Sequence, residues 1–331
     1  MFSMHCRFIK ILAFSLCLLF IFCSCSHCQS ETAVNETLSL AESNEHSIYT
    51  VTTEQALPQA TRPETTRKLS AENKLNSKNA IFCCVDTDEV LFRKKADEKI
   101  APASLTKLLT ACVALKYVPA DTEFTVGTEL QLVKPRSSLC LIKSGHSLTL
   151  ENLLVGLLTA SGNDAAYTVA VNVARIVSNG ELSDKEAISY FCNLMNLLAT
   201  QLGMKNSNFT NPDGWDDDSQ YTTVDDLLVL SKYALTVKTI KRIVSYRKKY
   251  VVFSSGQNIT WKNTNKLLDA ESDHYNKFAV GMKTGTTQNA GNCLIASFSK
   301  NNRTYIGIVC GCNTSDIRYK EMNYLFKKYA V

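Results

Sequence analysis

The clearest periodic pattern in the chain lies between Ser183 and Gly203. Ser183 and Glu186 have the spacing of a capping box, and Gly203 stands where a helix of this length would end. An apolar stripe at helical spacing connects them: Ile188, Phe191, Cys192, Met195, Leu198 and Leu202. Similar patterns predict further helices at 102–116, 150–158, 164–176, 224–235 and 316–329.

The segments rich in β-branched and aromatic residues lie toward the two ends of the chain. Residues 80–85 and 90–93 flank a polar turn and predict a β-hairpin. Further strands are predicted at 250–254, 259–262, 278–282, 293–298 and 304–310. Because helices occupy the middle, this order predicts a mixed α/β fold of the α+β type, with one sheet built from both ends of the chain and a helical insert between them.

The first 28 residues differ from the rest. Two basic residues precede an apolar run at 11–23, which is shorter than the roughly 20 residues that a spanning helix needs. This pattern is typical of a cleaved export signal, with an uncleaved membrane anchor or a lipid-modified Cys23 or Cys25 as alternatives. The protein is therefore expected outside the cytoplasm, in the cell wall or at the outer face of the membrane.

Residues 29–76 are rich in Thr, Ser, Glu and Ala, with seven Glu against four Lys or Arg and no apolar period. This composition predicts a disordered linker before a single domain at 77–331. The whole chain carries 36 Lys and Arg against 31 Asp and Glu. A surplus of +5 over 331 residues does not indicate the basic character of a nucleic-acid-binding protein, so nucleic acid is not an expected partner.

Thirteen cysteines are an unusual number, and five of them lie in or beside the N-terminal apolar segment. The eight in the domain form no Cys-x-x-Cys pair, and most sit inside apolar runs such as 80–85 and 305–310. Their predicted state is a buried thiol that packs as a small hydrophobic side chain. Disulfides are the alternative in an oxidising medium, and free thiols in an exported protein would indicate an anaerobic habitat.

The first candidate for chemistry is the pair Ser104 and Lys107. Their spacing places a hydroxyl and an amine on one face of a helix, with Ser104 at its N-terminus. The same spacing recurs at 245–248, in a segment predicted to be helical, and at 297–300, near a strand end. Alone, the pair is therefore weakly specific.

Two further motifs follow in a fixed order: Ser161, Gly162 and Asn163, then Lys283, Thr284, Gly285 and Thr286. Ser-x-x-Lys, a Ser-x-Asn triplet and Lys-Thr-Gly form the set that penicillin-binding proteins and class A β-lactamases use. The three motifs in this order are far more specific than any one of them.

The sequence also resembles one family beyond these motifs. The stretches 101–107, 157–166, 202–205, 211–214 and 281–285 are similar to low-molecular-mass penicillin-binding proteins, the serine D-alanyl-D-alanine carboxypeptidases. The resemblance runs from about residue 77 to the end of the chain. It implies the penicillin-recognising fold: a five-stranded antiparallel sheet flanked by helices, a mostly helical lobe, and an active site in the cleft between them.

The resemblance implies that Ser104 is a nucleophile that forms an acyl-enzyme with loss of the terminal D-alanine. The domain has two histidines, His146 and His274, both in polar contexts typical of surface residues. Lys107 is therefore the expected base, by elimination as well as by resemblance. Burial and a second ammonium from Lys283 are expected to lower its pKa.

The second motif is expected to face this pair. Ser161 would relay a proton to the leaving amine, and Asn163 would hold both Lys107 and the substrate amide. A helix-capping loop is the alternative explanation for these two residues.

The third motif is expected to bind the peptide. Lys283, Thr284 and Gly285 would lie on a strand edge that pairs with an extended substrate. The backbone amides of Ser104 and Thr286 would form the oxyanion hole.

Arg318, at the start of the last predicted helix, matches the position from which the family binds the substrate carboxylate, and its planar guanidinium suits that role. No metal and no cofactor are expected. The implied partners are peptidoglycan stem peptides ending in D-alanyl-D-alanine and β-lactam antibiotics. Any membrane attachment is expected through the N-terminus, because the chain stops just after the last predicted helix.

Other functions remain open at this stage. A class A-like β-lactamase shares the nucleophile but clears its acyl-enzyme with a Glu-activated water, and the segment 191–200 contains no Glu. A DD-endopeptidase would use the same residues on cross-linked peptides. A non-catalytic protein that binds cell-wall peptides would keep the cleft without turnover.

Overall fold

The computed structural model describes residues 75–331, so the predicted export segment 1–28 and nearly all of the predicted linker lie outside the described residues. The strands are β1 (Asn79–Cys84), β2 (Glu89–Lys94), β3 (Glu123–Thr125), β4 (Ser147–Thr149), β5 (Lys248–Val252), β6 (Asn258–Lys262), β7 (Ala279–Thr287), β8 (Gly291–Lys300) and β9 (Arg303–Cys312). The α-helices are α1 (Thr106–Tyr117), α2 (Leu150–Leu158), α3 (Asn163–Ser178), α4 (Asp184–Gln201), α5 (Val224–Thr236), α6 (Lys238–Val244) and α7 (Ser315–Tyr329).

All the helices predicted from periodicity are present with nearly the expected bounds. The capping box of α4 is formed, because Ser183 Oγ accepts from the Glu186 amide and the Glu186 carboxylate accepts from the Ser183 amide. The sequence missed α6 and the three-residue strands β3 and β4, which are too short to show a period. The helix predicted over 245–248 is wrong: α6 ends at Val244, and Lys248 begins a strand.

The main sheet confirms the prediction that both ends of the chain contribute strands. Its five antiparallel strands have the order β2-β1-β9-β8-β7, with Ile81 of β1 opposite Ile308 of β9. The predicted strands at 250–254 and 259–262, however, form a separate hairpin in which β5 pairs with β6. The hairpin packs against the helical lobe and not against the main sheet because the buried indole of Trp261 donates to the Cys140 carbonyl at 2.7 Å.

Hydrophobic side chains alternate between the two faces of the main sheet. Ile81 and Ile308 belong to the larger core, which is shared with the helical lobe. On the opposite face, Phe82 and Tyr305 pack with Met322 of α7. A Cβ at Gly307 would lie 2.4 Å from Met322 Sδ, so glycine permits this close approach of helix and sheet. The two faces fix the sheet between the lobe and α7.

Hydrogen bonds hold the chain against the domain from Leu75 onward. Lys94 Nζ donates to the carbonyls of Leu75 at 2.8 Å and Ser77 at 2.7 Å. The Glu321 carboxylate accepts from the backbone amides of Asn76 and Ser77. These contacts begin two residues before the predicted domain boundary.

The eight cysteines of the domain are all buried free thiols, as their apolar sequence context predicts. None of the helices within residues 75–331 combines the length and the apolar character that crossing a membrane requires.

Candidate active site

Ser104 lies in a short 3-10 turn, Ala103–Leu105, that leads directly into α1. Gly214 makes room for this turn. Its φ is +85°, and a Cβ there would lie 1.8 Å from the Ala103 carbonyl oxygen. Only glycine allows the 211–214 loop to approach the residue before Ser104 so closely.

Lys107 is fully buried in the first turn of α1, three residues after Ser104. Its Nζ lies 2.8 Å from Ser104 Oγ, 2.8 Å from Asn163 Oδ1 and 2.7 Å from the Asp213 carbonyl oxygen. Burial lowers the pKa of Lys107 to about 8, against the opposing effect of the carboxylates of Asp213 and Asp164. A neutral amine fits these three partners, since it can donate to the two carbonyl-type oxygens and accept from the Ser104 hydroxyl.

The second motif forms the junction between α2 and α3. Ser161 has a φ of +61°, and its Oγ lies 2.8 Å from Lys283 Nζ. Asn163 begins α3 and donates through Nδ2 to Asp213 Oδ2 at 2.5 Å and to Ser137 Oγ at 3.0 Å. The motif lies at the start of α3, but neither side chain forms a capping hydrogen bond, so these contacts do not support the alternative explanation as a capping loop.

Lys283 lies on β7, across the cleft from Lys107, and is also fully buried. Its Nζ donates to Ser161 Oγ and, at 2.9 Å, to the Thr284 carbonyl. Burial lowers its pKa well below the usual range, and the charges of Lys107 and Arg318 lower it further. Burial, which was expected to lower the pKa of Lys107, is the largest cause of its shift, and the proximity of the two ammonium groups adds to the lowered pKa of Lys283.

Gly285 brings β7 beside the Ser104 turn. A Cβ at Gly285 would lie 3.0 Å from Ala103 Cβ and 3.2 Å from the Ser104 amide nitrogen. The neighbouring Thr284 hydroxyl lies 2.6 Å from Thr264 Oγ1, while Thr286 is exposed on the strand. The strand edge and the turn thus approach each other where the oxyanion hole is predicted.

Arg318 in the first turns of α7 reaches the same part of β7. Its Nη1 donates to the Gly285 carbonyl at 3.1 Å, the Cys293 carbonyl at 3.2 Å and Thr286 Oγ1 at 3.1 Å. Its Nη2 donates to Ser315 Oγ at 3.0 Å. Arg318 as a whole is only 7% exposed, so α7 fixes a positive charge beside the predicted substrate-binding edge.

The two histidines have structural contacts. His146 Nδ1 accepts from the Lys143 amide. His274 is not the surface residue that its polar neighbours predict: it is buried, its ring stacks on Tyr319, and its Nε2 lies 2.9 Å from Asp316 Oδ1. Local polarity gave no indication of this packing.

Sequence reasoning missed three residues that hold the site. Asp213 lies in the 211–214 stretch, which was recognised as family-like but given no role; it contacts both Lys107 and Asn163. Ser137 and Thr264 lie in loops without a local signal, and only the folded chain brings them to the motifs.

This arrangement of a helix-borne Ser-Lys pair, a Ser-x-Asn junction and a Lys-Thr-Gly strand edge matches the motif set of the penicillin-recognising class. The D-alanyl-D-alanine carboxypeptidase family model matches residues 65–314. The chain therefore belongs to the D-alanyl-D-alanine carboxypeptidase family, peptidase family S11.

Named relatives agree with this assignment. The chain is 29% identical to D-alanyl-D-alanine carboxypeptidase DacF of Bacillus subtilis over 79% of its length, and 34% identical to DacC of Escherichia coli over 70%. These matches cover 65% of DacF and 56% of DacC. The chain therefore spans less than two thirds of the length of either relative.

Two solved structures share the fold. The Streptomyces K15 DD-transpeptidase superposes with a TM-score of 0.70 at 27% identity, covering 78% of this chain and 100% of the other. Penicillin-binding protein D2 of Listeria monocytogenes, in a cefotaxime-bound form, has a TM-score of 0.66 at 25% identity and covers 79% of this chain and 100% of its own. The predicted penicillin-recognising fold is confirmed.

Proposed function

We propose that this protein is a serine D-alanyl-D-alanine carboxypeptidase that removes the terminal D-alanine from peptidoglycan stem peptides and binds penicillin covalently. The observation that carries the proposal is the hydrogen-bonded pair of Ser104 Oγ and fully buried Lys107 Nζ at 2.8 Å. A serine needs a neutral base beside it to become a nucleophile. Burial supplies that base by lowering the pKa of Lys107 to about 8.

In the proposed acylation step, Ser104 Oγ attacks the carbonyl carbon between the two D-alanines and its proton passes to Lys107 Nζ. The oxyanion forms between the backbone amides of Ser104 and Thr286. When the C–N bond breaks, Ser161 Oγ relays the proton: it gives its own to the leaving amine and takes up the one that Lys107 received, so that D-alanine departs and both side chains return to their starting state. Water then attacks the ester, the acyl group leaves as a carboxylic acid, and Ser104 regains its proton.

The sheet wall would bind the substrate. The extended peptide would pair with the edge of β7 at Gly285 and Thr286, beside the Ser104 turn. Arg318, Thr284 and Lys283 would receive the terminal carboxylate. The position of Arg318 Nη1 at 3.1 Å from Thr286 Oγ1 supports this role, because it places a cation next to the edge where the peptide would end.

A β-lactam would acylate Ser104 by the same attack and remain bound. The cefotaxime-bound relative supports this expectation. The test measures D-alanine release from a peptide ending in D-alanyl-D-alanine, together with retention of labelled penicillin. Wild type should release D-alanine and keep the label, and Ser104→Ala should do neither.

Ser245→Ala is the matched control, because Ser245 has the same spacing to a lysine but lies outside the site. It should behave like wild type. Rapid penicillin hydrolysis without a lasting adduct would favour a β-lactamase. Peptide binding without D-alanine release would favour a non-catalytic binding protein, and cleavage of cross-linked peptides alone would favour an endopeptidase.

A DD-transpeptidase is the second candidate, favoured by the similarity to the Streptomyces K15 enzyme of that name. It would pass the acyl group to an amine instead of water. Adding a glycine-type amine acceptor to the assay separates the two, because a transpeptidase would yield a peptide with a new amide bond at the expense of the hydrolysed product.

The protein would act outside the cytoplasm, with residues 1–28 directing export, 29–76 linking, and 77–331 forming the catalytic domain. The apolar run at 11–23 supports the export step. N-terminal sequencing and mass analysis of the native protein test it. A mature chain that begins near residue 28 would indicate cleavage, an added lipid mass would indicate a lipoprotein, and an intact Met1 would indicate an anchor.

A further inference from the structure

A second cavity, of about 490 Å³, lies at one end of the main sheet. Its walls come from the chain entry at 76–79, the end of β2 with the following loop to 101, the β7–β8 turn at 289–290, and the end of β9 at 310–311. Ser104, Lys107 and Lys283 are not among the residues that line it. The cavity is therefore separate from the candidate active site.

The cavity concentrates positive charge. Four lysines and one glutamate line it, which leaves a formal charge of +3: Lys78, Lys94, Lys95, Lys99 and Glu98. The whole chain carries a net charge of +5, so a small group of residues holds an excess of positive charge comparable with that of the entire protein. Glu98 is engaged by Lys95 at 3.1 Å, so it does not neutralise the other three.

One charged group of the cavity wall has no ion-pair partner. Across the described residues, no carboxylate forms an ion pair with Lys78 Nζ, whose side-chain carbons pack against Gly311. Lys94 is held nearby through the Leu75 and Ser77 carbonyls. A bound anion would supply the charged partner that Lys78 Nζ lacks.

We propose that this cavity binds a small phosphate-bearing anion, either a phosphate ion or a phosphate monoester. Its volume lies within the usual range for small-molecule sites, about 300–1,000 Å³. Lysine ammonium groups bind phosphate as point charges, and a dianion matches the surplus of +3. The side-chain amides of Asn76 and Asn289 on the rim supply further donors. The proposal is independent of the activity proposed for Ser104.

The test is equilibrium dialysis of the full chain with radiolabelled inorganic phosphate at low, constant ionic strength. Binding should saturate near one phosphate per chain. Lys78→Glu combined with Lys99→Glu should weaken it by at least about tenfold, because two attractive charges become repulsive. Lys185→Glu combined with Lys205→Glu makes the same charge change at exposed positions of the helical lobe and should leave binding unchanged.

Two further measurements show where on the protein phosphate binds and whether the ligand is the free ion or a monoester. Lys283→Met should retain phosphate binding, since Lys283 does not line the cavity; loss of binding would place the phosphate in the candidate active site and overturn the proposal. Glycerol phosphate should compete if the ligand is a monoester and should fail to compete if it is the free ion. Absence of saturable binding of both probes, or equal loss in the control variant, would also overturn the proposal.

Discussion

Lys107 and Lys283 stand on opposite walls of the cleft and are equally buried, yet their surroundings differ. On the helical wall, Lys107 Nζ has three oxygen partners, and the charges of Asp213 and Asp164 oppose the effect of burial on its pKa. On the sheet wall, Lys283 Nζ has two oxygen partners, and nearby cations reinforce the effect of burial.

The difference shows how their surroundings give two identical buried side chains different pKa values. Carboxylates keep the pKa of Lys107 at about 8, close to the neutral pH at which a general base works best. Lys283, with cations as neighbours, is the less favourable place for a proton. Its two acceptors match the two N–H groups of a neutral amine. The helical wall is thus suited to moving a proton, and the sheet wall to positioning substrate.

The largest expected effect comes from removing the base. Lys107→Met should slow penicillin acylation by about 10³-fold or more, because general base catalysis contributes about 10² to 10⁴ and Ser104 loses its sole predicted proton acceptor. Stopped-flow or gel assays with labelled penicillin measure the rate. Lys116→Met on the same helix is the control and should acylate normally. Equal rates in Lys107→Met and wild type would refute the assignment of the base.

Lys283→Met should have a smaller effect on acylation, about 10²-fold, since it removes one donor at the substrate-binding edge rather than the proton acceptor. The inflection of its pH–rate profile should stay near that of wild type, because burial is the main cause of the lowered pKa of Lys107. An upward shift of one pH unit or more would show that the charge of Lys283 sets the pKa of Lys107, and the contrast between the walls would fail.

The roles of the two walls could be anticipated from sequence only where the signal is local. Ser104 and Lys107 share a helix face, and Lys283 to Thr286 form one run along a strand, so spacing alone groups them. The longer helices and most of the strands were predicted from apolar periodicity and local composition in the same way. These features depend on neighbours within a few residues.

The remaining part of the site depends on packing between distant segments. Asp213 reaches Lys107 because Gly214 permits a backbone approach to Ala103 that no side chain would allow. Thr264 meets Thr284 because the loop after β6 folds onto β7. Neither contact has a spacing rule. The pKa of Lys107 is likewise set by burial and by carboxylates that the motifs do not contain.

Asp213→Asn sharpens the comparison by removing a carboxylate from the helical wall. Acylation of wild type should rise with pH and level off above about 8, because the base must lose its proton to act. The Asp213 charge raises the pKa of Lys107, so the variant should have its inflection at lower pH. The plateau should fall by about tenfold at most, since a hydrogen bond near the site contributes about 1 kcal/mol. An inflection at higher pH would contradict this account.

The smallest effect is expected on the sheet wall, where Thr264 Oγ1 lies 2.6 Å from Thr284 Oγ1. Thr264→Val keeps the shape but leaves the buried Thr284 hydroxyl without this partner, which should lower the free energy of unfolding by about 1–3 kcal/mol. Acylation should slow by only a few-fold, because the role proposed for Thr284 is to position substrate and not to take a proton. Thr264→Ser restores the hydroxyl and should recover both values.

Because the hydrogen bond lies on the sheet wall, the slower acylation of Thr264→Val should appear as a higher penicillin concentration for half-maximal rate, while the pH inflection stays near 8. A shifted inflection would mean that the two walls are coupled through more than the lysines.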